Sequence, residues 1–137
     1  MKIYFAGSIR GGRDEADNYL KIIDHLTQYG EVLTEHVGLK NIEKNDQKNT
    51  DSYIFQRDIS WLKTSDLMIA DVTVPSLGVG YEIGFAERLN IPILCIYNPN
   101  STKSLSAMVL GNKTFTCRNY NNVTEAKLLI DKFISSI

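Results

Sequence analysis

The chain has 137 residues, 43% of them hydrophobic, with a formal net charge of -1 and a pI near 6.1. That length can bury one core without disulfide staples, and the scattered basic residues give little support to a nucleic-acid groove or an anionic membrane surface. The two cysteines, Cys95 in an apolar run and Cys117 near the end, have neither metal-ligand spacing nor the density of a secreted scaffold, which suits a reducing compartment.

No apolar stretch approaches the ~20 residues that span a bilayer. Met1-Lys2 leads straight into IYFAG without a signal-peptide region. The expectation is a cytoplasmic protein, or a nuclear one in a eukaryote, whose partners are small molecules rather than nucleic-acid polymers or membranes.

In chain order, KIYFAG reads as a strand, followed by GSIRGG, Gly7 to Gly12, and a helix over residues 13–29. Small residues at that junction let backbone N–H groups approach whatever binds at the helix N-terminus. Ser8 adds a hydroxyl and Arg10 a charge, which makes a cradle for one phosphate group. The motif is neither GxGxxG nor the Lys-containing P-loop, so a dinucleotide or triphosphate site is not indicated. The competing reading is that the glycines only make a tight turn. Tyr4 is either core or a phenol that hydrogen-bonds an inward carboxylate.

EVLT reads as the second strand, and His36 ends its extension EVLTEH at the ligand edge, where the ring either meets a ligand or is an ordinary edge residue. His25, mid-helix, is structural. VGLKNIEKNDQKN exceeds what a connection needs and is lid-like around residues 41–49. A second helix over residues 50–63 puts Asp58 on one stripe with Ile54, Trp61 and Leu62. DLMIADV is a buried strand with Asp71 at its carboxyl end, where it either binds a ligand hydroxyl or caps the following turn.

In TVPSLGVGYEIGFAERL a third helix starts near Leu77, with Ser76 and Gly78 offering donors at its start. Helical spacing aligns Glu82 with Val79, Phe85, Ala86 and Leu89, while Glu87 and Arg88 fall toward solvent. Glu82 and Asp58 are thus both carboxylates on apolar stripes. Either alone fits a cap or an ion pair; together they point to paired acid chemistry, one carboxyl protonated by desolvation and the other an ionised nucleophile, as glycosidic-bond cleavage requires.

IPILCIYN is a strand with Cys95 in the core. NPNSTKSLSAMVLGNK is a second long loop carrying Ser106, FTCRNY a weaker strand, and NVTEAKLLIDKFISSI a helix capped near Thr124. The alternation predicts a single α/β domain over 1–137. It is a three-layer, flavodoxin- or Rossmann-like sandwich, with a five-stranded parallel sheet in the order 2-1-3-4-5 and ligands at the carboxyl ends of the strands.

KIYFAGSIRGG, VLTEHV, QRDISWL and VTVPSLGVGYEIG, followed by ILCIY and SLSAM, resemble the 2'-deoxynucleoside 5'-monophosphate N-hydrolases of the nucleoside 2-deoxyribosyltransferase superfamily. PSLGVGYEIG is the most specific segment. The resemblance implies that Glu82 is the nucleophile that attacks C1' of the deoxyribose, that Asp58 assists departure of the base, and that Tyr4 orients the catalytic carboxylate.

It assigns phosphate binding to Ser8, Ile9, Arg10, Gly12, Ser76 and Gly78; the expected substrate-binding set also includes Gly7, Gly11, His36 and Met108. It makes Ser106 a residue contributed by the partner subunit of a homodimer. Asp71 stands where some relatives carry Glu. The implied reaction yields a free base and 2-deoxyribose 5-phosphate without metal or organic cofactor. Base exchange by a deoxyribosyltransferase, hydrolysis of a ribonucleotide such as CMP, and a nucleotide-binding module without turnover are the alternatives; two inward acids beside an anion site speak against the last.

Overall fold

The computed structural model describes residues 1–9, 15–39, 48–101 and 104–137. Five parallel strands form one sheet in the order β2-β1-β3-β4-β5: β1 Lys2–Ala6, β2 Glu31–Val32, β3 Leu67–Asp71, β4 Ile93–Tyr97 and β5 Thr116–Asn119. The helices are α1 Ala16–Leu26, α2 Asp51–Thr64, α3 Leu77–Arg88, the short α4 Ala107–Leu110 and α5 Val123–Ile134. Both the sheet order and the α/β class agree with the sequence expectation.

Period-two alternation in β1 sends Ile3 and Phe5 to one face and Tyr4 and Ala6 to the other. The first face is covered by α1, through Tyr19, Ile22, Ile23 and Leu26, and by α5, through Ala126 and Ile130. The second is covered by α2 and α3, through Leu62, Val79, Ile83 and Ala86, against Met68, Ala70 and Cys95 of the central strands. Tyr4 therefore shares its layer with the two helices that carry Asp58 and Glu82. On the opposite layer His25 Nε2 meets Asp131 Oδ1 at 2.5 Å, and the Tyr29 hydroxyl donates to the same oxygen at 2.6 Å. That pins α1 to α5 and gives His25 the structural role expected of it.

Several boundaries differ from the sequence reading. β2 stops at Val32, and His36 lies instead in a one-turn 3-10 segment, Glu35–Gly38; Thr34 turns inward there, its Oγ1 accepting from the Phe5 N–H and donating to the Phe5 carbonyl. The final helix is capped by Asn122 rather than Thr124: Asn122 Oδ1 accepts from the Glu125 N–H, and Glu125 reaches back to the Asn121 N–H. The second long loop contains α4, capped by Ser106.

On α3 it is Ile83, not the exposed Leu89, that completes the buried stripe. Glu87 is not simply solvated, since it accepts from Asn112 Nδ2 at 2.8 Å and from the Thr114 hydroxyl. The lid-like reading of residues 41–49 falls mostly on residues outside the described set. Among the described residues no helix is long and apolar enough to cross a membrane.

Candidate active site

The site forms where α2 and α3 pack against each other above the carboxyl half of β1. Both helices have hydroxyl caps: Thr50 Oγ1 accepts from the Tyr53 N–H, and Ser76 Oγ from the Val79 N–H at 3.3 Å. The caps fix the phase of each helix, and with it the direction of Asp58, two turns into α2, and of Glu82, in the second turn of α3.

The Tyr4 hydroxyl donates to Glu82 Oε1 at 2.6 Å. Burial pushes the Glu82 carboxyl from its ordinary 4.5 up to about 7; the Tyr4 bond opposes that rise, the negative charge of Asp58 adds to it, and the Arg57 guanidinium opposes it. Burial, and then the charge of Glu82, push the Tyr4 phenol well above its ordinary value, so it stays a donor. Arg57 Nε donates to Asp58 Oδ1 at 2.8 Å, and Arg57 also bonds His36 Nε2 at 3.2 Å. Its guanidinium lies 4.9 Å from the centre of the Trp61 ring, which in turn tilts against His36. Two hydrogen-bonded groups thus lie together, Tyr4 with Glu82 and Asp58 with Arg57 and His36, and the charges of Asp58 and Arg57 act on Glu82.

Arg57 and Trp61 are the members that sequence reasoning missed as site residues. The QRDISWL segment carried the signal, because Arg57 adjoins Asp58 and Trp61 follows it by one helical turn.

Of the phosphate set, Arg10, Gly11 and Gly12 lie outside the described residues. Gly7 is buried against Tyr19, where a Cβ would sit 2.8 Å from the ring and leave no room for a larger residue. The buried Ser8 donates its N–H to the Tyr19 hydroxyl at 3.2 Å, so that particular donor is committed to the fold. Ile9 packs against the core of the α1 face. Ser76 and Gly78 stand at the N-terminus of α3, the end of a helix that attracts anions.

Asp71 is fully buried, with Oδ1 accepting from the Thr73 N–H at 2.9 Å and Oδ2 from the Tyr120 hydroxyl at 2.7 Å. It caps the turn after β3. Burial raises its pKa, against the bonds from Thr73 and Tyr120. Thr73 Oγ1 also accepts from the Asn98 N–H. Asp71 thus ties the ends of β3, β4 and β5 together beside the segment that leads to Ser76.

Ser106 caps α4 by accepting from the Met108 N–H at 3.1 Å. Both residues line a groove of about 710 Å³ between α3 and the 104–115 segment, opposite Ser76, Leu77, Gly80 and Tyr81. None of Tyr4, Asp58 and Glu82 lines that groove, so within one subunit Ser106 and the acid pair are not brought together. Among the described residues, no three His, Cys, Asp or Glu side chains gather to hold a metal ion.

Comparison with known proteins fits this geometry to a family. Residues 3–130 match the nucleoside 2-deoxyribosyltransferase family model. The chain is 45% identical to a 5-hydroxymethyl-dUMP N-hydrolase of Esox lucius, over 97% of this chain and 96% of that one. It is 52% identical to one of Danio rerio, over 81% and 78%. The fold matches the structure of a Clostridium botulinum CMP N-glycosidase with a TM-score of 0.69 at 20% identity, covering 96% of this chain and 99% of that one. The chain belongs to the nucleoside 2-deoxyribosyltransferase family.

Proposed function

We propose that the protein hydrolyses the N-glycosidic bond of 2'-deoxynucleoside 5'-monophosphates, with Glu82 as nucleophile. The observation that carries this reading is the part-buried Tyr4–Glu82 pair, on whose carboxyl the Asp58 charge acts. Relatives at 45% and 52% identity named as 5-hydroxymethyl-dUMP N-hydrolases support the substrate class.

A deoxyribosyl centre lacks the electron-withdrawing 2'-hydroxyl and reaches an oxocarbenium-like state readily, so catalysis asks for a positioned anion rather than a strong base. Tyr4 aims Glu82 through Oε1 and leaves its other oxygen for C1'. As the C1'–N bond breaks, the C1'–O bond to Glu82 forms and the base leaves as its anion beside Asp58; it takes up a proton from a water molecule, and the hydroxide left behind is neutralised by the proton that the hydrolytic water gives up, through the Asp58 carboxylate, when it attacks C1'. Water then attacks C1', releasing 2-deoxyribose 5-phosphate and regenerating the Glu82 carboxylate. The phosphate is held by the turn after β1, with Ser8 and Arg10, and by the α3 N-terminus at Ser76 and Gly78. His36 flanks the base. That binding supplies orientation and discrimination against unphosphorylated nucleosides.

The active unit is a homodimer in which Ser106 and Met108 of one subunit complete the site of the other. Leu77, 97% exposed, and Met108, 83% exposed, flank the apolar groove. A Cβ on Gly80 or Gly84 would meet open space there, so another chain can approach α3 closely.

The test is chromatographic: a panel of dNMPs, the matching nucleosides and NMPs is incubated with the protein, and free base is measured. Base release from dNMPs well above that from nucleosides and NMPs is expected. Equal rates on nucleosides, or exchange onto an added second base in preference to water, contradict the reading.

A further inference from the structure

We infer that Arg57 is a positioning residue of this site: bonded to Asp58 on one side and to His36 on the other, and laid across Trp61, it locks both side chains in place and sets a positive charge beside Glu82. The inference rests on the N-hydrolase reading only for its effect on turnover.

Arg57 is half-buried on α2, with Nε 2.8 Å from Asp58 Oδ1, a terminal nitrogen 3.2 Å from His36 Nε2, and its guanidinium 4.9 Å from the centre of the Trp61 ring and 6.0 Å from that of Tyr53. A planar guanidinium stacked on an indole has little rotational freedom, and its donors leave it in fixed directions. Two consequences follow. The Asp58 carboxylate is held by one oxygen, so that its other oxygen keeps a fixed aim. His36 accepts through Nε2 when neutral, which places its ring proton on Nδ1 and makes the opposite edge of the ring a donor.

The electrostatic consequence falls on Glu82. Among the described residues, the groups that act on it are Tyr4 from β1, and Arg57 and Asp58 from α2. β3 and β4 bring Met68, Ala70 and Cys95 to this layer, and burial pushes the Cys95 thiol up to about 12, leaving it neutral. Among these described neighbours Arg57 supplies the positive charge that favours the Glu82 carboxylate, against burial and the Asp58 anion. A nucleophilic carboxylate must be ionised, so Arg57 extends the active range toward lower pH.

The experiment compares Arg57→Met, which keeps a stem over Trp61 but no charge, with Arg57→Lys. The Glu82 carboxyl is titrated by NMR in protein labelled with 13C-glutamate and assigned by its loss in Glu82→Gln, a readout that needs no turnover. In Arg57→Met its midpoint should rise by roughly one pH unit, and the acid limb of kcat/KM on a dNMP should move with it, about tenfold in rate at pH 6. Arg57→Lys should restore the titration but only part of kcat, because an ammonium cannot make both directed bonds at once.

Titration and pH profile of Arg57→Met that superimpose on wild type overturn the inference, as does a uniform loss of rate at all pH with an unshifted titration. If Arg57→Met fails to fold, Arg57→Gln carries the same measurement. A wild-type protein that releases no base from any dNMP defeats the hydrolase reading instead, while the titration still decides the charge role of Arg57.

Discussion

The Tyr4 hydroxyl and Glu82 Oε1 are 2.6 Å apart, across 78 residues of chain, and they meet because β1 and α3 face each other in one layer of the sandwich. The phenol opposes the desolvation that raises the Glu82 carboxyl to about 7. In Tyr4→Phe the ring still fills its place but the bond is lost, so the Glu82 pKa should rise further. The acid limb of kcat/KM should move up by roughly one pH unit, about fivefold in rate at pH 7 and about tenfold at pH 6, and recover toward pH 9. A pH profile measured with any turned-over dNMP checks this; an unshifted limb contradicts it.

The same raised pKa has a stability consequence of determined sign. Between 4.5 and about 7 the folded state binds more protons at Glu82 than the unfolded state does. Its contribution therefore falls as pH rises through that window and is most unfavourable above it. Glu82→Gln keeps an acceptor for Tyr4 and removes the buried charge. Urea unfolding should find it more stable than wild type at pH 8, on the order of 1–3 kcal/mol, with the gain vanishing below pH 5. A gain that is absent at pH 8, or that grows on acidification, runs against the burial argument.

Tyr120→Phe removes the donor to Asp71 Oδ2 and leaves a buried carboxyl oxygen without that partner. A loss of about 1–3 kcal/mol in denaturant unfolding is expected. Asp71 is assigned here to holding strand ends, so KM for the dNMP should change little; a large rise in KM with unchanged stability would return Asp71 to the ligand.

The shared site is tested by mixing. Glu82→Ala subunits and subunits in which Ser106 is replaced by a bulky residue should each be inactive or impaired alone. Together they form hybrid dimers with one composite site that retains both native residues, and activity should reappear. A fully active monomer in sedimentation at assay concentration, or hybrids that recover nothing, would contradict the shared site.

The parts of this molecule legible in the sequence are those fixed by periodicity. The sheet order follows from the βα alternation, and Glu82 and Asp58 stand out as acids on apolar stripes. EVLTEHV looks extended, yet Thr34 is drawn inward by its two bonds to the Phe5 backbone and the chain coils after Val32, so β2 is shorter than its sequence suggests. An arginine on a helix surface is ordinary by pattern; only the packing of Trp61, His36 and Asp58 around Arg57 distinguishes it. Whether Ser106 meets a substrate is a property of two chains, and one chain's periodicity carries no record of it.

The central claim is that Glu82 cleaves the glycosidic bond. The direct measurement is single-turnover release of free base from a dNMP at pH 8 by wild type and by Glu82→Gln, each verified as folded. Wild type should release base together with an equal amount of 2-deoxyribose 5-phosphate, and Glu82→Gln should be slower by a factor of roughly 10²–10⁴ or more. Release by Glu82→Gln within about tenfold of wild type would contradict the account, because that is less than a positioned acid–base group alone contributes.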